Sequence, residues 1–172
     1  MGLIIRQKEP NNLETPVDRV DSFLTPTELS YVRSHSPAPK LELASYRLQI
    51  DGAVRSPLSL TYKELRDMPA ETRVAILECA GNSRVFLVPQ VQGAQRELGA
   101  VGNAEWTGVP LCVLLQRAGL EEDACEVVLE GPDREVPKEG AISPGPVSYA
   151  RSLPRAKALQ REVLIAYPDE RP

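Results

Sequence analysis

Proline sets the strongest limit on how this chain can fold. The 172 residues contain sixteen prolines, more than the average usage of about 5%. Each proline locks its own φ angle and removes a backbone hydrogen-bond donor, so we expect many fixed loops between short elements. Strands that alternate with short helices and long Pro-rich loops predict a mixed α+β fold. No Gly-rich phosphate loop follows the first predicted strand, so nothing indicates a Rossmann unit.

The prolines are unevenly placed along the chain. Five of them fall within the first forty residues, a polar stretch with only short apolar patches. Closely spaced prolines favour extended backbone in the residues that precede them. We therefore predict that residues 1–40 form an extended N-terminal arm without a packed element, and that residues 41–172 form the body of a single domain.

The body carries clear local signals. Thr61 and Glu64 have the spacing of a capping box, which predicts a short helix that ends before Pro69. A compact, largely apolar run from Thr72 to Glu78 predicts a buried strand. Further predictions are a strand at 46–50 that ends at the turn dipeptide Asp51-Gly52 with a hairpin-like turn after it, and strands at 126–129 and 163–167. Helices are predicted at 110–118 and 154–159, and long loops at 79–103 and 131–148.

Composition excludes several classes of function. Twenty Lys and Arg against twenty-four Asp and Glu leave a net charge of −4, so no basic field indicates binding to nucleic acid or to anionic lipid. The chain lacks the run of roughly 18 apolar residues that a membrane span needs. It also lacks the apolar core of a signal peptide near its start, which predicts a cytoplasmic protein.

The histidine and cysteine counts limit the metal chemistry. A single histidine, His35, excludes every site built from two or more histidines. The three cysteines form an odd number without C-x-x-C spacing, so neither a disulfide framework nor a zinc ribbon is expected. A lone functional thiolate remains open.

Cys79 is the strongest candidate for that thiolate. It follows the predicted buried strand directly, and small Ala80 and Gly81 after it leave room for a ligand to approach the sulfur. Asn82 and Arg84 would supply donors beside it, and a nearby guanidinium favours the thiolate form that attacks electrophiles or binds soft metals. The alternative is a free cysteine packed as a small hydrophobic residue.

Two further positions are candidates for ligand binding. Arg33 and His35 stand just before a Ser-Pro-Ala-Pro segment, which would present them stiffly to an anion. The alternative is a solvated arginine beside a histidine whose hydrogen bonds are satisfied by the backbone. Asp133 leaves a strand end and could accept hydrogen bonds from an amine-rich ligand, although an Asp after Gly-Pro often only stabilises its own turn.

Taken together, these motifs have a familiar order. The run LECAGNSR is preceded by YVRSHSPAPKLELASYRLQIDG and followed by a Trp-x-Gly-x-Pro-Leu helix start at 106–111. Over nearly the whole chain, this arrangement resembles the molybdopterin-binding domain of the sulfite oxidase family. The family pattern has an arginine, a polar residue, a histidine and a Pro-x-Pro, and later a cysteine in C-A-G-N. Arg33, His35, Pro37, Pro39 and residues 79–82 stand at those positions.

The resemblance implies a role for each candidate residue. Cys79 would be the protein's thiolate ligand to molybdenum, beside the two sulfurs of the pterin dithiolene and oxo groups. Arg33 and Arg84 would line a pocket for an oxyanion, and Asp133 would hydrogen-bond the pterin. The pterin and its phosphate would be held by a segment of the N-terminal arm, namely Tyr31, Val32, Arg33, Ser34 and His35.

The resemblance also implies a reaction and its partners. The cofactor would be Mo-molybdopterin, without haem in this chain, since one histidine cannot supply a bis-histidine haem. The reaction would be oxygen-atom transfer, with a small oxyanion such as sulfite oxidised to sulfate. A separate electron acceptor such as a cytochrome would take the electrons.

The sequence departs from the family pattern at its end. The family domain continues after the strand at 163–167 with a H-G-F-P-x-R segment and further pterin-binding residues, and here only five residues follow. This difference predicts that the domain lacks its C-terminal part. Ser83 also stands where animal sulfite oxidases commonly carry an arginine, which leaves the substrate open.

Three alternatives to a sulfite-oxidising enzyme remain at this point. The first is a truncated, non-catalytic remnant or binding module of the same fold. The second is a sulfoxide-reducing or nitrate-reducing member of the family. The third is unrelated thiol chemistry, in which Cys79 is a nucleophile and His35 its base.

Overall fold

The computed structural model describes residues 2–135 and 147–168, and it confirms the mixed α+β fold. Ten strands and three short α-helices lie along the described chain. They divide into two compact units. The first unit contains residues 2–38, 74–105, 133–135 and 147, and the second contains residues 39–73, 106–132 and 148–168. Within the described ranges no helix combines the length and the apolar character needed to cross a membrane.

A three-stranded antiparallel sheet is built from the N-terminal segment. Its strands are β1 (Ile4–Gln7), β2 (Asn12–Glu14) and β3 (Val32–Arg33), in that spatial order. Asn12 and Glu14 are fully buried. The segment therefore contains packed strands where the sequence indicated only extended chain, because the partners that bury these polar residues lie far away in the sequence. The division into an arm and a body stays a prediction.

A hairpin opens the second unit. Strands β4 (Arg47–Ile50) and β5 (Leu58–Thr61) pair antiparallel, with Arg47 opposite Thr61 and Ile50 opposite Leu58. Helix α1 (Tyr62–Arg66) follows at once and confirms the predicted capping box. Thr61 Oγ1 accepts a hydrogen bond from the Glu64 N–H at 3.1 Å, and the Glu64 carboxylate accepts one from the Thr61 N–H at 2.8 Å.

The remaining strands form two further sheets. Strands β6 (Glu71–Glu78), β7 (Val101–Pro110) and β10 (Leu164–Ala166) lie in the order β10, β7, β6. Strands β8 (Glu126–Glu135) and β9 (Val147–Pro154) pair with each other. The two ends of the loop predicted at 131–148, residues 131–135 and 147–148, are thus strand, while residues 136–146 lie outside the described residues. Helices α2 (Leu111–Ala118) and α3 (Arg155–Ala158) stand close to their predicted positions.

The apolar core lies in the second unit. One cluster joins the hairpin, α1 and α2 through Leu60, Leu65, Val109 and Leu114. A second cluster joins α2 and α3 through Leu111, Leu115 and Ala158. Gly119 ends α2 with a φ of +71°, a backbone conformation that glycine adopts without strain.

Strand β6 forms where the sequence predicts it, but the prediction that it is buried is wrong. The side chains of Val74, Ile76 and Leu77 are 49%, 67% and 49% exposed. The physical reason is the position of β6 at the edge of its sheet, where seven of its eight residues are exposed. An apolar run alone cannot show whether a strand is central or at an edge.

Candidate functional site

Cys79 lies at the end of β6, half-buried and with a free thiol. Its backbone N–H donates to the Ala100 carbonyl at 2.9 Å, so the position of the residue is tied to the start of β7. The sulfur accepts a hydrogen bond from the Gly81 N–H at 3.4 Å.

The tight turn after Cys79 is held by Asn82. The Asn82 N–H donates to the Cys79 carbonyl at 2.8 Å, which closes the turn. The Asn82 side chain accepts from the Ala100 N–H at 3.0 Å and donates to the Glu78 carboxylate at 2.8 Å. The sequence suggested that Asn82 supplies a donor beside the sulfur of Cys79. Its described hydrogen bonds instead hold the turn and the neighbouring strands.

Arg84 lies against the same turn. Its guanidinium packs over Gly81, where an added Cβ would stand only 3.1 Å from Nη2. Nη1 donates to the Gln92 carbonyl, and the loop closes around the guanidinium at Gly93, whose φ is +117°. A Cβ on Gly93 would overlap Arg84 Nη1. The predicted oxyanion residue is therefore close to the turn that carries Cys79, and two glycines make room for it.

The segment from Tyr31 to His35 contains β3, an outer strand of the first sheet. Tyr31, Val32 and Ser34 are half-buried, whereas Arg33 and His35 are exposed. The Arg33 Nη2 atom lies 3.1 Å from His35 Nδ1 and 3.2 Å from Nε2. A guanidinium only donates, so the ring offers it a nitrogen lone pair. Both ring nitrogens therefore lie beside Arg33, and the role of His35 as a base for Cys79 stays a prediction.

Arg96 is the functional candidate that sequence reasoning missed. Its side chain is fully buried. Nη1 donates to the Leu13 carbonyl at 3.0 Å, and Nη2 donates to Asn12 Oδ1 at 3.1 Å and to the Val32 carbonyl at 3.0 Å. No motif or spacing distinguishes this arginine in the polar stretch that contains it, so the sequence carried no signal for its burial.

Electrostatic coupling places Cys79, Tyr31 and Arg96 in one neighbourhood. Burial raises the pKa of Tyr31, the charge of Cys79 raises it further, and the charge of Arg96 opposes the shift. Burial lowers the pKa of Arg96, while the charges of Cys79 and Glu14 act in the opposite direction. Arg33 also repels Arg96. The buried guanidinium of Arg96 is thus coupled both to the thiol of Cys79 and to the segment that carries Arg33.

Asp133 is the remaining residue indicated by the sequence. It lies half-buried on β8 and falls in the same compact unit as Cys79. Hydrogen bonds and close contacts of the described residues thus place five of the eight candidate positions in two groups. Arg33 lies with Ser34 and His35, and Cys79 lies with the turn that Arg84 packs against. The backbone of a sixth, Val32, accepts from Arg96. The assignment of these residues to a ligand stays a prediction.

Comparison with known proteins gives a family match. Residues 35–169 match the family model described as the oxidoreductase molybdopterin binding domain. The chain is 37% identical to the sulfite oxidase of Gallus gallus, with 96% of this chain and 36% of that protein covered. It is 33% identical to the nitrate reductase [NADH] of Solanum lycopersicum, with 93% and 18% covered.

A solved structure is similar as well. The sulfane dehydrogenase SoxCD from Paracoccus pantotrophus superposes with a TM-score of 0.73 at 32% identity, covering 91% of this chain and 37% of that one. The sulfite oxidase of Arabidopsis thaliana is 33% identical over 96% of this chain and 44% of its own length. The chain therefore spans less than half the length of each of these relatives.

Proposed function

The chain belongs to the sulfite oxidase family of molybdopterin-binding oxidoreductases, and from that membership we propose that it binds a Mo-molybdopterin cofactor through Cys79 and oxidises sulfite to sulfate. The observation that carries the proposal is the placement of Cys79. Its sulfur accepts a hydrogen bond from the Gly81 N–H, at the end of a strand and within electrostatic range of buried Arg96.

The residues present fit such a cofactor. A half-buried thiol with a donor at its sulfur is the kind of soft ligand that molybdenum would take from a protein. No group of three His, Cys, Asp or Glu side chains that could hold a metal occurs among the described residues. A single thiolate is compatible with a metal whose remaining ligands come with the pterin. When bound, the cofactor supplies the oxygen-atom transfer chemistry and accepts the electrons.

The chain's own contribution is binding, orientation and charge. Arg33 presents donors to an anion with His35 beside it, and Tyr31, Val32 and Ser34 continue the same segment along the pterin. Arg84 adds a positive charge beside the Cys79 turn, which concentrates a small anion despite the net charge of −4. Asp133 is proposed as an acceptor for the amine groups of the pterin. These donors recognise an oxyanion by charge-assisted hydrogen bonds.

The balance of the reaction requires a second partner. Oxidation of sulfite to sulfate takes an oxygen atom from water and releases two protons and two electrons. We propose that the electrons pass to a separate acceptor such as a cytochrome. Reduction of a sulfoxide or of nitrate would transfer electrons in the opposite direction, from a donor to the substrate. The similarity to a nitrate reductase keeps nitrate reduction as an alternative within the family.

The experiment that tests the proposal compares two single-cysteine changes. Protein expressed with the cofactor available is assayed for molybdenum and pterin per chain, and for sulfite oxidation with several electron acceptors. Cys79→Ser should abolish molybdenum retention and activity. Cys125→Ser changes an exposed free cysteine in the second unit and should alter neither. Absence of molybdenum from the unaltered chain, or its retention in Cys79→Ser, would contradict the proposal.

A second candidate function is supported by exposed apolar surface. Phe86, Leu87 and Val88, which follow the Cys79 turn, are 61%, 51% and 96% exposed, and the apolar residues of β6 are exposed as well. Apolar patches of this kind mark surfaces that pack against other polypeptide. The chain would then be a non-catalytic binding module of the same fold. Retention of molybdenum and pterin without turnover of sulfite, sulfoxide or nitrate would favour this candidate.

A further inference from the structure

Arg96 is an unusual residue to bury. Its hydrogen-bond partners are two backbone carbonyls and one carboxamide, all of them neutral, and its Nε atom is buried without a partner. Placing a cation in such a position is costly unless the structure gains from it. The rigid, planar fork of an arginine reaches several separated acceptors in a fixed geometry, which the compact ammonium of a lysine does not provide.

The acceptors of Arg96 lie on two neighbouring strands. The Leu13 carbonyl and the Asn12 side chain belong to β2, and the Val32 carbonyl belongs to β3. Strand β3 contains only two residues, and its pairing with β2 has only two positions in register. A ladder this short holds a strand weakly, so the guanidinium adds a substantial fraction of the hydrogen bonds that keep β3 in place.

Asn12 extends this contact to the residue between Arg33 and His35. Its Oδ1 atom accepts from Arg96 and also from the Ser34 N–H at 3.1 Å. Its Nδ2 atom donates to the Ser34 carbonyl at 3.2 Å. The backbone of Ser34 is thus held on both sides by a carboxamide that Arg96 itself orients.

We propose that Arg96 is a positioning residue, which holds the segment from Tyr31 to His35 in the place where it meets the cofactor beside Cys79. This assignment rests on the proposed function for the identity of the ligand. Arg96 need not touch the substrate. It acts through Val32 and Asn12, and its loss would let Arg33 and His35 move away from the positions needed to bind an anion.

The test compares Arg96→Met with Arg6→Met. Met is similar in length to the arginine stem and removes the donors and the charge. Arg6 is the matched control, because it is a partly buried arginine on β1, the strand of the same sheet that is separated from β3 by β2, and it pairs with Glu14 and Glu97. The first readout is amide hydrogen exchange of Ser34, with the β4–β5 hairpin as an internal reference. The second is molybdenum and pterin retained per folded chain.

We expect Arg96→Met to speed exchange at Ser34 by about tenfold, roughly the factor that loss of one hydrogen bond gives, and to lower cofactor retention by at least as much. Arg6→Met should leave both readouts near those of the unaltered chain, and the hairpin amides should be unchanged in both variants. Arg96→Lys, which keeps the charge without the fork, should give intermediate values.

Equal exchange at Ser34 in Arg96→Met and Arg6→Met would overturn the proposal, as would full cofactor retention in Arg96→Met. If Arg96→Met does not fold, Arg96→Lys decides, and behaviour identical to the unaltered chain would overturn it. Failure of both to fold where Arg6→Met folds would also overturn it, since Arg96 would then stabilise the whole unit. Absence of molybdenum from the unaltered chain would overturn the proposed function but not the role of Arg96. Amide exchange at Ser34 would still measure whether Arg96 positions the segment.

Discussion

The backbone N–H of Gly81 points at the sulfur of Cys79, with nitrogen and sulfur 3.4 Å apart. The same glycine forms the surface on which the Arg84 guanidinium lies. Gly81 therefore has two roles: its N–H donates a hydrogen bond to the thiol, and its lack of a side chain leaves space for the guanidinium of Arg84. This arrangement explains in physical terms why a small residue is needed two positions after Cys79.

Gly81→Ala should weaken substrate binding more than it weakens the fold. The new Cβ would lie 3.1 Å from Arg84 Nη2 and 3.3 Å from Nε, so the flexible end of Arg84 must shift by a few tenths of an ångström. We expect the KM for sulfite to rise about two- to tenfold, with a stability change within about 1 kcal/mol. Gly102→Ala is the control, because its Cβ meets ordinary contacts at 3.7 Å and beyond. Equal KM values for the two variants would contradict this role of Gly81.

Gly93→Ala should disturb both the fold and Arg84. The φ of Gly93 is +117°, which an L side chain rarely adopts, and the added Cβ would overlap Arg84 Nη1. We expect a loss of at least about 1 kcal/mol in the free energy of unfolding and a raised KM for sulfite. Gly52→Ala provides the comparison, since Gly52 has a φ of +82° with nothing within 4 Å. Denaturant unfolding measures the backbone strain at residue 93, and steady-state kinetics measure the displacement of Arg84. An unchanged KM for sulfite in Gly93→Ala would argue against a role for Arg84.

The capping box of α1 should make a measurable, pH-dependent contribution to stability. Thr61→Ala removes the acceptor for the Glu64 N–H and should cost about 1 kcal/mol in the free energy of unfolding. Hydrogen bonds from the Thr61 backbone and side chain lower the pKa of Glu64. The folded pKa is below the unfolded value of about 4.3, so this stabilisation is present above that value and is lost as the pH falls through the folded pKa.

Glu64→Gln tests the sign of that dependence. The midpoint of thermal unfolding should fall less steeply between about pH 5 and pH 3 in Glu64→Gln than in the unaltered chain, because the glutamine does not titrate in the window of about pH 4.3 and below. A steeper decline in the variant would show that the carboxylate does not stabilise the helix start. Glu28→Gln, in a 3-10 turn without a side-chain cap, is a suitable control.

Substitutions at Ile76 and Leu114 should differ strongly in their effect on the free energy of unfolding. Ile76 is 67% exposed on β6, so Ile76→Lys should change the free energy of unfolding by less than about 0.5 kcal/mol and should reduce self-association. Leu114 is fully buried in the core, and Leu114→Ala should cost about 2–5 kcal/mol. Denaturant titration and light scattering measure both effects. A large destabilisation in Ile76→Lys would mean that β6 is covered in solution.

Local signals were sufficient for several elements. The capping box at Thr61 and Glu64 and the helix from Leu111 to Ala118 involve residues within one or two turns of each other, and both form as predicted. Turn signals such as Asp51-Gly52 also involve adjacent residues, and the hairpin of β4 and β5 forms around this one. Adjacent residues determine these features, so a single sequence is enough to predict them.

Other features depend on partners far away in the sequence. The N-terminal sheet requires β2 to meet β3, some twenty residues later, and no local pattern distinguishes these short strands from extended chain. The exposure of β6 depends on which strands flank it, and the length of β8 depends on β9. Hydrophobic patterning indicates that a segment tends to form a strand, but it does not indicate which strands will pair with that strand.

The sequence by itself determined the family, the single thiol at the strand end and the arginine and histidine that precede the Pro-x-Pro, because these are short motifs of fixed residue type. Only the tertiary structure decided that Arg96 is buried with hydrogen bonds to β2 and β3, that Arg84 lies in a space made by Gly81 and Gly93, and that the apolar residues of β6 are exposed. The physical reason is that burial and hydrogen-bond partnership are properties of pairs of distant segments, and chain order alone does not specify which segments meet.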